Sequence, residues 1–133
     1  MTSVYVAAPF SDADIVRSVH ARLADIGIFA ASSWAEHAIG REDFSKYTPD
    51  ELRRFAAVND ADLRLADVCL VLARYGAGAE MFAEARLAIE WGKPVVWVGR
   101  RTLSSWRDGV TYCETLEEAL RAIDGWSSHD TWY

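Results

Sequence analysis

The chain of 133 residues is long enough to bury one hydrophobic core and too short for two, so we expect a single domain over residues 1–133. Hydrophobic residues make up 51% of it and are spread along its whole length, which excludes a disordered chain. The formal net charge of −6 argues against binding a nucleic-acid polymer through its phosphates and leaves a small-molecule ligand open.

The two cysteines bear on compartment and cofactors. Cys69 lies in a predicted core strand and Cys113 near another, with no CxxC motif and no histidine at metal-ligand spacing. We expect both to be packing residues in a reducing compartment, with neither a metal nor an organic cofactor implied. No apolar run approaches the length of a membrane span, and the chain enters its first strand directly, so we expect a cytoplasmic protein without a membrane partner.

The N-terminal stretch predicts a strand followed by a helix. Residues 3–8 are an apolar run ended by Pro9. Ser11 or Asp12 is placed to cap the following helix, in which apolar residues recur at helical spacing until Gly27 supplies a stop.

A second strand, a loop and a long helix come next. Residues 28–31 form the strand, whereas residues 35–47 mix charge and glycine without a period, which predicts a loop and a potential lid. Thr48 to Glu51 have the form of a capping box with proline at the first helical position. The helix so begun is expected to run from 49 to about 66.

One βαβ unit follows and organises the rest of the chain. Residues 68–72 and 94–98 are unbroken apolar runs, as parallel strands buried on both faces require. Between them lie a glycine-bearing loop at 76–78 and a helix stopped by Gly92. The C-terminal part adds a connection over 99–108, a last strand at Val110–Cys113, a helix over 115–123 capped by Thr115, and a tail without a period from residue 125.

These elements predict an α/β fold, a single doubly wound parallel sheet of five strands with helices on both faces and the order 2-1-3-4-5. Ligands of such sheets bind beyond the carboxyl ends of the strands. That rim would gather segments distant in sequence: residues 9–11, 33–34, 74–84 and 99–101.

Two carboxylates, Glu80 and Glu84, lie four residues apart in the first turns of the central helix and therefore share one of its faces. A helix N-terminus stabilises a carboxylate as the anion, which favours a nucleophile or a base. Asp60 or Asp62, at the end of the preceding helix, would supply the proton for a leaving group. Paired carboxyls on either side of a glycosidic bond are the arrangement for hydrolysis or transfer through a covalent intermediate.

Other residues of the rim suit a nucleobase and a sugar. The aromatic faces of Phe10 and Trp34 offer a platform for a planar base. Gly76 and Gly78 would let backbone approach a sugar or a phosphate, although any tight turn between a strand and a helix has the same need. Ser11, beside a helix start, is either a phosphate or ribose contact or a plain helix cap.

The central unit resembles the nucleoside 2-deoxyribosyltransferase superfamily, which includes the 2′-deoxynucleoside 5′-phosphate N-hydrolases. The similar features are the glycine loop, Glu84, Ala88 four residues later, and the Gly-Lys-Pro sequence at 92–94. The opening VYVAAPF at 4–10 and the Ala-Asp pair before the strand at 68–72 also fit. The resemblance covers roughly the first hundred residues.

The resemblance implies that Glu84 attacks C1′ of a deoxyribose, forming a glycosyl-enzyme that water or a second base resolves. The family's other catalytic acid falls on Asn59, so Asp60 is expected to hold or protonate the base with help from Asn59. An alternative register makes Glu80 the nucleophile; the spacing to the Gly-Lys-Pro sequence favours Glu84. A neighbouring subunit can complete the site in this family, which implies a homo-oligomer, either a dimer or a dimer of dimers.

These features together favour cleavage or transfer of the N-glycosidic bond of a 2′-deoxynucleoside or its 5′-monophosphate. Two alternatives stay open. One is a non-catalytic module on the same fold that binds or senses a nucleotide. The other is a related Rossmann-like phosphoribohydrolase acting on ribonucleotides, which the GAGAE run at 76–80 would suit.

Overall fold

A computed structural model describes residues 2–37, 44–75 and 78–130. Five strands form its one sheet: β1 Ser3–Ala7, β2 Phe29–Ala30, β3 Val68–Ala73, β4 Val95–Gly99 and β5 Val110–Cys113. Five α-helices connect or flank them: α1 Ala13–Asp25, α2 Trp34–His37, α3 Pro49–Leu65, α4 Ala79–Glu90 and α5 Leu116–Asp130.

The sheet confirms the predicted α/β class and strand order. Its strands are all parallel and run β2-β1-β3-β4-β5. All six residues of β3 are buried, because helices cover both faces of a central parallel strand. Both cysteines are buried free thiols, as expected of packing residues.

Three local signals of the sequence are confirmed. The side chain of Thr48 accepts from the backbone N–H of Glu51, and the Glu51 carboxylate accepts from that of Thr48, so the capping box starts α3. Thr115 accepts from the N–H of Glu118 at the start of α5. Gly92, at φ 72°, follows the end of α4 in a left-handed conformation that favours glycine.

The expected cap of α1 is wrong. Asp12 occupies the N-cap position, but its side chain makes no capping hydrogen bond. The oxygens of Ser11 and Asp12 instead contact the Tyr75 hydroxyl, at 2.8 and 3.2 Å. Both side chains therefore bond to Tyr75, which follows β3, and no local sequence pattern predicts these contacts.

The expected loop and tail are also partly helical. Within 35–47, α2 and a 3₁₀ turn at Phe44–Lys46 are formed, while residues 38–43 of the supposed lid lie outside the described part. Helix α5 continues through Gly125 instead of ending at Ile123. A glycine costs a helix only about 1 kcal/mol, and Trp126 packs against the core beyond it. Among the described residues no helix is both long and apolar enough to cross a membrane.

Gly99 allows the ends of β3 and β4 to lie close together at the rim. Its φ is 103°, and a Cβ there would lie 2.3 Å from the carbonyl oxygen of Ala73. We expect Gly99→Ala to lower the free energy of unfolding by about 3 kcal/mol or more, measured by urea denaturation. The matched control is Gly109→Ala, where φ is 86° and the space is open, so only about 1 kcal/mol of backbone strain is expected. Equal losses in both variants would contradict the steric argument.

Candidate active site

A cavity of about 230 Å³ opens between the end of β1, helix α2, helix α3 and the start of α4. Its position, at the carboxyl side of the first strand, is where ligands of parallel sheets are held. Nine of the described residues line it: Phe10, Trp34, Tyr47, Leu52, Phe55, Ala56, Val58, Asn59 and Glu80.

Aromatic rings form much of the wall. The ring centroids of Phe10 and Trp34 are 5.4 Å apart with an interplanar angle of 38°. Trp34 is 5% exposed, and its Nε1 donates 2.8 Å to the carbonyl of Val6, which fixes the indole plane. Tyr47 and Phe55 meet edge to face at 4.9 Å. The cavity therefore offers flat, apolar faces suited to a planar ring.

Two polar side chains interrupt this apolar lining. Asn59 comes from the middle of α3 and Glu80 from the first turn of α4. Among the described residues, the side chains of Asn59 and Glu80 have no hydrogen-bond or ion-pair partner. Such groups beside an apolar cavity are available to orient a ligand.

Glu84 lies one helical turn beyond Glu80 and is partly buried. Burial raises its pKa from an ordinary 4.5 to about 7. A hydrogen bond donated by the Tyr5 hydroxyl opposes that rise in pKa, whereas the negative charges of Glu80 and Asp60 add to it. Near neutral pH the carboxyl is thus divided between acid and anion, a property common among catalytic groups.

Tyr5 holds that carboxylate from the sheet. It lies in β1, is fully buried, and is 79 residues from Glu84 in the chain. Burial, with a smaller contribution from the Glu84 charge, raises the pKa of the Tyr5 hydroxyl, so the phenol stays protonated and keeps donating. Sequence reasoning missed Tyr5; its signal was a phenol hydroxyl between the two apolar residues Val4 and Val6 of a core strand.

The expected site residues divide into groups. Phe10, Trp34, Asn59 and Glu80 come together as cavity lining. Glu84 is one turn after Glu80 on the same face of α4 and is not among the residues that line the cavity. Asp60 is exposed and outside the lining, although its charge reaches Glu84.

Ser11 and Gly78 are not among the residues that line the cavity. Ser11 bonds Tyr75. Gly78, at φ 121°, is the N-cap of α4, and a Cβ there would touch Pro9 and Met81 at 3.4 Å. Gly76 lies outside the described residues.

Asp62 and Lys93 have structural partners. Asp62 Oδ2 accepts from the backbone N–H and the hydroxyl of Ser33, at 3.0 and 2.6 Å. Lys93 Nζ donates to the carbonyls of Arg64 and Ala66, at 2.9 and 2.6 Å, and so covers the C-terminus of α3. These contacts hold α2 and α3 in place around the cavity.

The architecture defines a class of parallel α/β proteins that bind ligands at the carboxyl rim of the sheet. Within that class the chain is similar to the solved structure of a 2-deoxyribosyltransferase from the psychrotolerant bacterium Bacillus psychrosaccharolyticus, a biocatalyst for the synthesis of nucleosides. The TM-score is 0.67 over 90% of each chain, and the identity is 16%, so the likeness shows a shared fold. No family model and no curated protein sequence matches the chain.

Proposed function

We propose that this protein is an enzyme that cleaves or transfers the N-glycosidic bond of a 2′-deoxynucleoside or its 5′-monophosphate. The observation that carries the proposal is the partly buried carboxylate of Glu84, which is held by Tyr5 one helical turn from an aromatic cavity. A buried carboxylate costs folding free energy, so its retention beside a cavity favours catalysis over simple binding.

In the proposed reaction the base occupies the cavity between the aromatic walls, and the sugar extends toward Glu84. The ionised carboxylate attacks C1′, the C1′–N bond breaks, and its electron pair leaves with the base, which takes up a proton. Water or a second base then attacks C1′ and releases the carboxylate. Asp60, which is next to Asn59 in the chain, is the proposed proton donor.

The assay is incubation with a panel of 2′-deoxynucleosides, their 5′-monophosphates and the ribonucleotide counterparts, with and without a second base, followed by chromatography. We expect free base from the deoxy series. An exchanged nucleoside would identify a transferase, and its absence a hydrolase. Release from ribonucleotides alone, or no release at all, would overturn the proposal. Asp60→Asn in the same assay tests the proton donor, for which a rate loss of roughly 100-fold is expected.

The proposal extends to assembly and compartment. We propose a homo-oligomer, a dimer or a dimer of dimers, whose mass is measured by light scattering on the eluting protein. We propose a reducing, cytoplasmic setting, which suits two free and buried thiols.

Tyr5→Phe is expected to move the pH profile of kcat/KM without lowering its plateau. The lost hydrogen bond stabilises the Glu84 anion, so the pKa of Glu84 rises further and activity is retained only at higher pH. A charged hydrogen bond is worth about 1.5–3 kcal/mol, so the rising limb near pH 7 is expected roughly one to two pH units higher.

The matched control for this profile is Tyr112→Phe. Its hydroxyl donates to the carbonyl of Gly99 at 3.3 Å, in another part of the sheet. The control profile is expected to overlay that of the unmodified protein. An unmoved limb in Tyr5→Phe would show that Tyr5 does not tune the reacting carboxylate.

A further inference from the structure

Side chains complete the edge of β1 beyond the point where β2 ends. Strand β2 has only two residues and pairs with β1 no farther than Val4. Farther along the same edge, the backbone N–H of Val6 donates to Oγ of Ser32 at 3.0 Å, and the carbonyl of Val6 accepts from Nε1 of Trp34 at 2.8 Å. Residues 32–35, which we call the wall segment, thus take the place of a longer strand and carry Trp34 into the cavity lining.

His20 of helix α1 holds the first residue of the wall segment. Its Nε2 lies 2.9 Å from Oγ of Ser32, and its Nδ1 lies 3.7 Å from a carboxylate oxygen of Glu36. Ser32 is 3% exposed and the His20 side chain 12%, so water competes little for these contacts. The imidazole therefore joins α1 to the beginning of the wall segment and to the residue that follows its end.

The contacts of this group define the protonation state of the imidazole. A backbone N–H can only donate, so Oγ of Ser32 accepts from Val6 and has its own proton left to give. An unprotonated Nε2 of His20 accepts that proton, which leaves the ring proton on Nδ1, toward Glu36. Burial lowers the pKa of His20, and the charge of Glu36 opposes this only in part, so the neutral ring predominates at pH 7.

Glu36, His20 and Ser32 stand in the order of a hydrolytic triad, but Ser32 is not placed for nucleophilic attack. The serine of a triad must present its hydroxyl to a substrate carbonyl. Ser32 is buried, its oxygen already binds the N–H of Val6, and it is not among the residues that line the cavity. The group is therefore suited to holding the wall segment in place.

We propose that neutral His20 is a positioning residue of the candidate active site, which through Ser32 holds the indole of Trp34 in the cavity wall. Its effect on substrate affinity rests on the proposed function, whereas the anchoring does not. Without an acceptor for its proton, the buried Ser32 hydroxyl favours conformations in which it reaches water. Because Ser32 and Trp34 bind the two backbone groups of one residue, Val6, the indole is then in place for less of the time.

Hydrogen exchange of two indole N–H groups, followed by NMR on isotope-labelled protein, tests the anchoring. The reference is Trp97, which is fully buried and donates from Nε1 to the carbonyl of Arg100 at 2.9 Å, away from the cavity lining. We expect His20→Leu to accelerate exchange at Trp34 about tenfold, the factor that one buried hydrogen bond is worth, and to leave Trp97 unchanged. Equal acceleration at both indoles would show that His20 only stabilises the fold. That result, or no acceleration at Trp34, would overturn the inference.

His20→Gln is the matched variant. A glutamine side-chain oxygen can accept from Ser32 without an ionisable ring, so slow exchange at Trp34 is expected to return. Acceleration as large as that in His20→Leu would contradict the proposed bond.

Ser32→Ala reaches the same bond from its other side. It removes the hydroxyl, so exchange at Trp34 is expected to accelerate relative to Trp97, and adding His20→Leu is expected to cause no further change. Additive effects would show that His20 acts on the wall segment through some other contact, against the inference.

The kinetic consequence is measured in the assay for base release. His20→Leu is expected to raise KM about tenfold and to leave kcat unchanged, because Trp34 contacts the base whereas Glu84 performs the attack. His20→Gln is expected to restore KM. A fall in kcat with KM unchanged would overturn the positioning role. If no substrate releases base, the proposed function fails, and the indole exchange still decides whether His20 anchors the wall segment.

Discussion

Glu84→Gln is expected to abolish base release, with a fall in kcat on the order of 10⁴-fold or more. The amide is neutral and a poor nucleophile, so no glycosyl-enzyme forms. Its oxygen still accepts from the Tyr5 hydroxyl, which keeps the local packing in place. The measurement is single-turnover release of base, with mass spectrometry to detect a deoxyribosyl adduct on the unmodified protein and none on the variant.

The two candidate glutamates give different outcomes in this experiment. Glu80→Gln is expected to keep the adduct, because Glu80 lines the cavity while Tyr5 holds the carboxylate of Glu84. Loss of the adduct in Glu80→Gln, with turnover retained in Glu84→Gln, would make Glu80 the nucleophile. That result would establish the alternative register of the sequence.

Glu84→Gln is expected to stabilise the fold at alkaline pH. The pKa of Glu84 rises from 4.5 to about 7 on folding, which corresponds to roughly 3 kcal/mol. Below pH 4.5 the carboxyl is protonated in both states and costs nothing. As the pH rises from 4.5 to 7 the unfolded chain ionises first, so stability is lost and is lowest above pH 7. Glutamine avoids this cost.

Urea unfolding of both proteins between pH 4 and pH 8.5 measures this effect. The gain in unfolding free energy of Glu84→Gln over the unmodified protein is expected to grow from near zero at pH 4 to roughly 3 kcal/mol at pH 8. Glu90→Gln, which alters an exposed pair with Arg86, is expected to differ by less than about 1 kcal/mol throughout. A difference for Glu84→Gln that does not depend on pH would show that its carboxyl is not desolvated.

Together these outcomes would separate a functional carboxylate from a structural one. A residue kept for stability destabilises the fold when its charge is removed. A residue that serves catalysis at a cost to stability stabilises the fold when its charge is removed. Glu84 is expected to fall in the second group, and Asp62, whose carboxylate accepts two bonds from Ser33, in the first.

Several features of the site were readable from local sequence because their causes are local. The spacing of Glu80 and Glu84 puts both on one face of α4 through the helical period alone. Phe10 and Trp34 each follow a strand, so the parallel sheet carries both to the same rim. Asn59 came only from the family resemblance, and it lines the cavity where Asp60, one residue on, does not.

Other features depended on contacts across the chain. Nothing near Ser11 or Asp12 indicates that Tyr75 draws both side chains away from the helix start. Helix α5 continues because Trp126 packs against the core. The polar sequence around Trp126 does not indicate that contact.

The amino-acid sequence by itself determined the α/β class, the order of the strands, the start of α3 and the face of α4 that carries the two glutamates. Periodicity, capping chemistry and the handedness of crossovers act over short stretches, so they can be read without coordinates. Only the tertiary structure decided which glutamate is desolvated and which one faces the cavity. Burial depends on how far α4 extends over β1 and on the Tyr5 hydroxyl beneath it, and both come from segments distant in sequence.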